Sequence, residues 1–135
     1  MKVPRFESAA VLRILLAMLY VLAGVLHIAL PAPFLKITPE WVQWPQLVIL
    51  LTGLCEIAGA IGLFIPHFRK AAGIGLAFYA VAVFPANITH ALQDLSLAQP
   101  VLGLWYHIPR LALQPLLVWA ALLAGGVYSK RKVNE

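Results

Sequence analysis

A single glutamate, Glu56, stands in LLTGLCEIAGAIGLF, residues 50–64, where the only other polar side chain is Thr52. A carboxyl surrounded by aliphatic residues is costly to ionise. It is therefore suited to holding or exchanging a proton, and burial favours its neutral form. Tyr20, His27, Tyr79, Asn87, His90, Arg110 and Gln114 are further polar groups set in or beside apolar runs. Together they offer proton donors, proton acceptors and one fixed positive charge, the equipment for binding the polar head of a ligand. The imidazoles of His27 and His90 could in principle ligate a metal or haem. No HxxxH or HExxH pair lies on one helix and Cys55 is the sole cysteine, so no metal site is expected and histidines bonded to loop carbonyls are favoured. A lone cysteine also excludes an internal disulfide and a CxxC redox pair.

The elements that must carry these groups are set by composition. Of 135 residues, 62% are hydrophobic and only 11% are charged, less than half the charged share of an ordinary soluble domain. The apolar residues gather in four runs near 11–30, 45–65, 70–92 and 109–128. Each is about long enough to cross a ~30 Å hydrocarbon layer as a helix. The expected fold is an all-α, four-helix transmembrane bundle forming a single domain over 1–135. The first run follows Lys2 and Arg5, but its length and Pro33 argue against a cleaved signal peptide, so it is expected to be retained.

Lys2, Arg5 and Arg13, then Arg69 and Lys70, then Lys130, Arg131 and Lys132 fall on one side of such a bundle, against Lys36 and Arg110 on the other. The bias places both termini in the cytoplasm of a multi-pass protein, in a membrane of the bacterial cytoplasmic type. The basic pI of about 9.7 then reflects topology, and no nucleic-acid partner is expected, because the basic residues form no folded surface.

The outer loops PAPFLKITPEWVQWP and QDLSLAQPVLGLWYHIP are rich in Pro, Trp and aliphatics. They should lie flat at the headgroup level, either as an interfacial belt or as a lid. His27 and His90 are 63 residues apart, and Trp41/Trp105 and Pro45/Pro109 are 64 apart. This faint repeat predicts two halves, each with a Pro-initiated returning span. Every span has a small or polar stripe at three-to-four spacing: Arg13, Ala17, Tyr20, Gly24, His27; Thr52, Glu56, Gly59, Leu63; Gly73, Ala77, Ala80, Phe84, Asn87; and Arg110, Gln114, Leu117, Ala121, Gly125, Tyr128. Such stripes face inward in membrane bundles. Glu56 lies ~16 Å from the outer start of its span, with Tyr20 and Tyr79 at similar depth and His27, Asn87, His90, Arg110 and Gln114 nearer the outer surface. The expectation is a polar funnel with a protonated Glu56 at its base, bonded to Tyr20, Tyr79 or Gln114. Arg110 either snorkels outward, pairs with Glu56 or holds an anionic headgroup, and Asn87 caps the backbone break made by Pro85. The alternative for Glu56 is structural glue between helices.

The stretches AGVLHIALPAPFLKITPEWVQWP (23–45), TGLCEIAGAIGLFIP (52–66), VFPANITHAL (83–92) and PRLALQPLLVWAA (109–121) resemble the DoxX-like membrane proteins, across nearly the whole chain. The resemblance implies a small four-helix membrane protein linked to thiosulfate:quinone oxidoreduction, to membrane redox complexes or to assembly of other membrane proteins. It implies signature positions at His27, Pro45, Glu56, Pro66, Pro85, Asn87, Arg110 and Gln114. Three functions compete. The first is a redox-associated subunit that binds a quinone or similar lipophilic ligand, with electrons supplied by a partner protein, since no flavin, haem or iron–sulfur motif is present. The second is a non-catalytic assembly protein that docks other membrane subunits. The third is a proton-coupled transporter, which four spans would support best as a homodimer. No self-contained catalytic motif marks the chain as an enzyme.

Overall fold

The computed structural model describes residues 5–128, with side chains from residue 8 onward. Lys2, Lys130, Arg131 and Lys132, on which part of the orientation expectation rests, lie outside the described residues. Within them the chain is entirely helical: α1 (Arg5–Ala29), α2 (Ala32–Ile37), α3 (Pro45–Gly62), α4 (Arg69–Ala82), α5 (Phe84–Leu95) and α6 (Leu104–Ala124). Four helical segments are long and apolar enough to span a membrane, at Ser8–Ala29, Pro45–Gly62, Arg69–Leu95 and Leu104–Ala124. They form an antiparallel ring in which α1 packs on α3, α3 on α4, α4 on α6, and α6 closes on α1.

Side-chain size is sorted in the way a bilayer requires. Large apolar residues such as Leu15, Met18, Phe78 and Trp119 face outward, while the core is mostly alanine: Ala17, Ala60, Ala77, Ala80, Ala120, Ala121 and Ala124. Lipid tails solvate a leucine as well as a protein core does, so bundle stability comes from close helix approach, which small residues permit. Two glycine seams carry this furthest. A Cβ on Gly24 would stand 2.6 Å from the Gly53 carbonyl oxygen, fixing α1 on α3. One on Gly73 would stand 2.6 Å from the Gly125 Cα, fixing the end of α6 on α4. The stripes read from sequence do face inward, apart from Tyr128, which is exposed.

At one end of the bundle two arginines finish the helices. Arg69 Nε donates to the Leu63 carbonyl at 2.9 Å, just past α3, and Arg13 Nε donates from α1 to the Ala124 carbonyl at 2.9 Å. Terminal carbonyls lack intrahelical donors and carry partial negative charge, so a cation there is favourable. The fourth span ends at Ala124 rather than 128 because Gly126 takes φ 69°. Val127 N–H then donates to the Leu122 carbonyl and Gly126 N–H to the Leu123 carbonyl, a Schellman closure.

Proline placement differs between the halves. Pro45 opens α3 as expected, preceded by Trp44 in the left-handed region. Pro109 instead lies inside α6, which begins five residues earlier at Leu104. The third span is broken at Val83, next to Pro85, which has no N–H to continue the ladder. Asn87 does not cap this break with its side chain. Gln114 does so from α6, donating Nε2–H to the Ala80 carbonyl at 3.1 Å. Gln114→Leu should therefore lower stability by about 1 kcal/mol, read as a lower melting temperature of detergent-solubilised protein. An unchanged melting temperature would remove the patching role.

Candidate functional site

Glu56 is only 3% exposed and its partner is His27, whose Nδ1 lies 2.7 Å from Oε2. The same Nδ1 lies 2.9 Å from the Ala23 carbonyl oxygen. A carbonyl can only accept, so Nδ1 carries hydrogen and donates to both oxygens. The meeting follows from helix geometry. Side chains lean toward the start of their own helix, so His27 on α1 leans toward the bundle middle while Glu56 on the antiparallel α3 leans toward His27. Backbone rise alone sets the two well apart in depth, so residue counting does not pair them.

Around the pair stand three hydroxyls. The Tyr79 side chain lies beside those of Glu56 and Thr52, and Tyr20 stands on the other side of Tyr79 near the same carboxyl. The two tyrosine rings meet edge to face, 6.0 Å between centroids. Thr52 donates to its own helix, at the Ile49 carbonyl. Tyr20 is 4% exposed, and its hydroxyl oxygen is buried with no hydrogen-bond partner among the described residues. Such an orphan is uncommon and calls for an explanation, since it forfeits a hydrogen bond that water would supply.

The expected funnel is closed at its mouth. Phe34, on the six-residue α2, lies on the His27 ring with centroids 3.9 Å apart and an interplanar angle of 34°. None of the residues of α2 is buried, so it rests on the bundle as a cover. Below it, an apolar groove of about 730 Å³ runs between α3 and α4, lined by Gly59, Gly62, Gly75, Phe78 and Tyr79 among others. Tyr79 is where this groove and the polar cluster meet.

The remaining residues expected at the funnel form a separate group. Arg110 does not pair with Glu56. Its Nη1 donates to His90 Nδ1 and its Nη2 to Asn87 Oδ1, each at 2.6 Å, with the Tyr106 ring 5.7 Å from the guanidinium. Gln114 serves the α4 break and not the carboxyl.

Two buried residues escaped the sequence reading altogether. Asp94 accepts from the backbone N–H groups of Val101 (2.9 Å), Leu102 (3.2 Å) and Gly103 (2.8 Å). It also accepts from Nε2 of His107 at 3.1 Å, a residue only 1% exposed. This carboxylate knots the second loop and starts α6 at Gly103, which is why the helix begins upstream of Pro109. The available signal was an acid at the end of an apolar helix facing a glycine-containing loop, the composition of a backbone-capping carboxylate. Among the described residues no group of three or more His, Cys, Asp or Glu side chains is arranged to hold a metal.

A family model, the domain of unknown function DUF8561, matches residues 16–124. The chain belongs to this family. The match takes in Tyr20, His27, Glu56, Tyr79, Asp94 and Arg110, so both polar clusters fall within the DUF8561 region. No curated protein and no solved structure matches the chain.

Proposed function

We propose that the protein is a small, redox-associated membrane subunit that binds a lipophilic ligand with a hydrogen-bonding head, a quinone being the class that fits best. The observation that carries this reading is the buried Tyr20 hydroxyl, left without a partner beside the His27–Glu56 pair. A carbonyl on a ligand head would complete it, and the neighbouring carboxyl and imidazole are groups that can take up or release protons when such a head is reduced or oxidised elsewhere in a complex. The α3–α4 groove at Tyr79 suits a hydrocarbon tail, and Phe34 covers the polar end. The resemblance to DoxX-like proteins supports the redox association. Arg13, Arg69 and Lys70 near one end, against Lys36 and Arg110 near the other, are the bias of a protein with cytoplasmic termini, as in a bacterial inner membrane, whose α2 cover would lie on the opposite face.

The test is retention of quinone by protein purified from membranes, measured by chromatography and mass spectrometry against the mole of protein. Wild type should carry quinone, and Glu56→Gln should carry at least about tenfold less, the equivalent of one well-made buried hydrogen bond. Equal amounts in both, or none in wild type from quinone-replete membranes, would overturn the reading. Partner proteins trapped by crosslinking equally well in Glu56→Gln would then favour the assembly role.

A further inference from the structure

We infer that Arg110, His90 and Tyr106 form a second site, which binds the phosphate oxyanion of a headgroup at the loop end of the bundle. The case rests on an imbalance of charge and of donors. Among the described residues no carboxylate is bridged to Arg110, and its two hydrogen bonds go to neutral acceptors, His90 Nδ1 and Asn87 Oδ1. The acid nearest in sequence to His90, Asp94, accepts from three backbone N–H groups and His107, so it makes no hydrogen bond to the guanidinium.

Two donors of this group are left over. Because His90 Nδ1 accepts from Arg110, its hydrogen sits on Nε2, which makes this imidazole a donor on its other side. Buried side-chain polar atoms without partners are limited, among the described residues, to Tyr20 Oη and His107 Nδ1. Arg110 Nε and His90 Nε2, for which no partner is present, are not among them, so neither is fully sealed from outside. A fixed cation with a free N–H, a second N–H beside it and no carboxylate bonded to either is a donor set that suits a phosphate oxyanion.

Depth selects the ligand chemistry. Arg110 lies six residues into α6, ~9 Å along the helix from Leu104, and its side chain leans back toward that start. This brings the guanidinium to the level of Trp105, which is 94% exposed, and of Tyr106, whose ring lies beside it. Aromatic residues of this kind mark the headgroup layer. Asn87 and His90 hold two guanidinium nitrogens in place, so the fork is oriented before any ligand arrives, which lowers the cost of binding.

The same oxyanion chemistry could be offered by a phospholipid or by free phosphate, and the experiment separates the two. Full-length protein in a neutral detergent is mixed with phosphatidylglycerol, with diacylglycerol or with inorganic phosphate, and bound molecules are counted by native mass spectrometry. Wild type should retain phosphatidylglycerol about tenfold better than diacylglycerol of the same chains, and Arg110→Gln should lose that preference. Arg110→Lys, which keeps the charge but not the fork, should retain only part of it. Displacement of phosphatidylglycerol by millimolar inorganic phosphate would support the site and identify a soluble oxyanion as a sufficient ligand, while no displacement would support it with lipid as the source. Absence of any wild-type preference overturns the proposal without recourse to a variant, as does an undiminished preference in folded Arg110→Gln.

Discussion

Asp94→Ala should lower the melting temperature by on the order of 10 °C, more than any other polar substitution in the chain. One side chain accepts from Val101, Leu102 and Gly103 N–H and from His107. Removing it leaves several donors unsatisfied at once, and a fully buried His107 whose Nδ1 already has no partner. The damage should be local at first. α6 would lose the anchor that starts it at Leu104, and limited proteolysis should cut within 96–103 before any other segment. Asp94→Asn should fall between wild type and alanine, because an amide keeps one accepting oxygen but turns a second donor toward donors. A melting curve and cleavage pattern indistinguishable from wild type in Asp94→Ala would show that the loop closes without this carboxylate.

The second large effect is expected at Gly73. A side chain there meets not another side chain, which could move, but backbone: Gly125 Cα at 2.6 Å and the Ala121 carbonyl oxygen at 2.7 Å. Helices α4 and α6 would have to separate, and membrane helices held by contact alone have little to offset that. Gly73→Leu should cost about 3 kcal/mol or more, enough to remove the monodisperse peak in size-exclusion chromatography. Gly75→Leu is the matched control, since nothing lies within 4 Å of a Cβ built there. Should both variants elute as wild type does, close packing along this seam would not be what holds the halves of the pair together.

What the sequence made visible, and what it hid, divides along a physical line. Apolar run length set the four spans, and the three-to-four stripes marked the inward faces correctly at Ala17, Tyr20, Glu56, Ala77, Ala80, Gln114 and Ala121, because both are properties of one helix at a time. Partner choice is a property of two. Backbone rise sets Tyr20 and Tyr79 level with Glu56, yet the bond is made by His27, whose lean along the helix axis a count of residues ignores. The knot at Asp94 was hidden more deeply. Its acceptors are spent on backbone groups across the 96–103 loop, and backbone donors look alike at every position of a sequence. Pro109 misled for a related reason: proline favours a helix start, but a start anchored from another element overrides that preference.

The glycine seams join neighbours in the chain: α1 with α3 across Gly24 and Gly53, α4 with α6 across Gly73 and Gly125. Each pair is a helical hairpin of consecutive spans. During synthesis the first hairpin can lock as soon as Gly62 has entered the bilayer, before the second has left the ribosome. A nascent chain stalled once residue 62 has cleared the ribosome is expected to hold His27 against Glu56 already, with half of the fold still unmade.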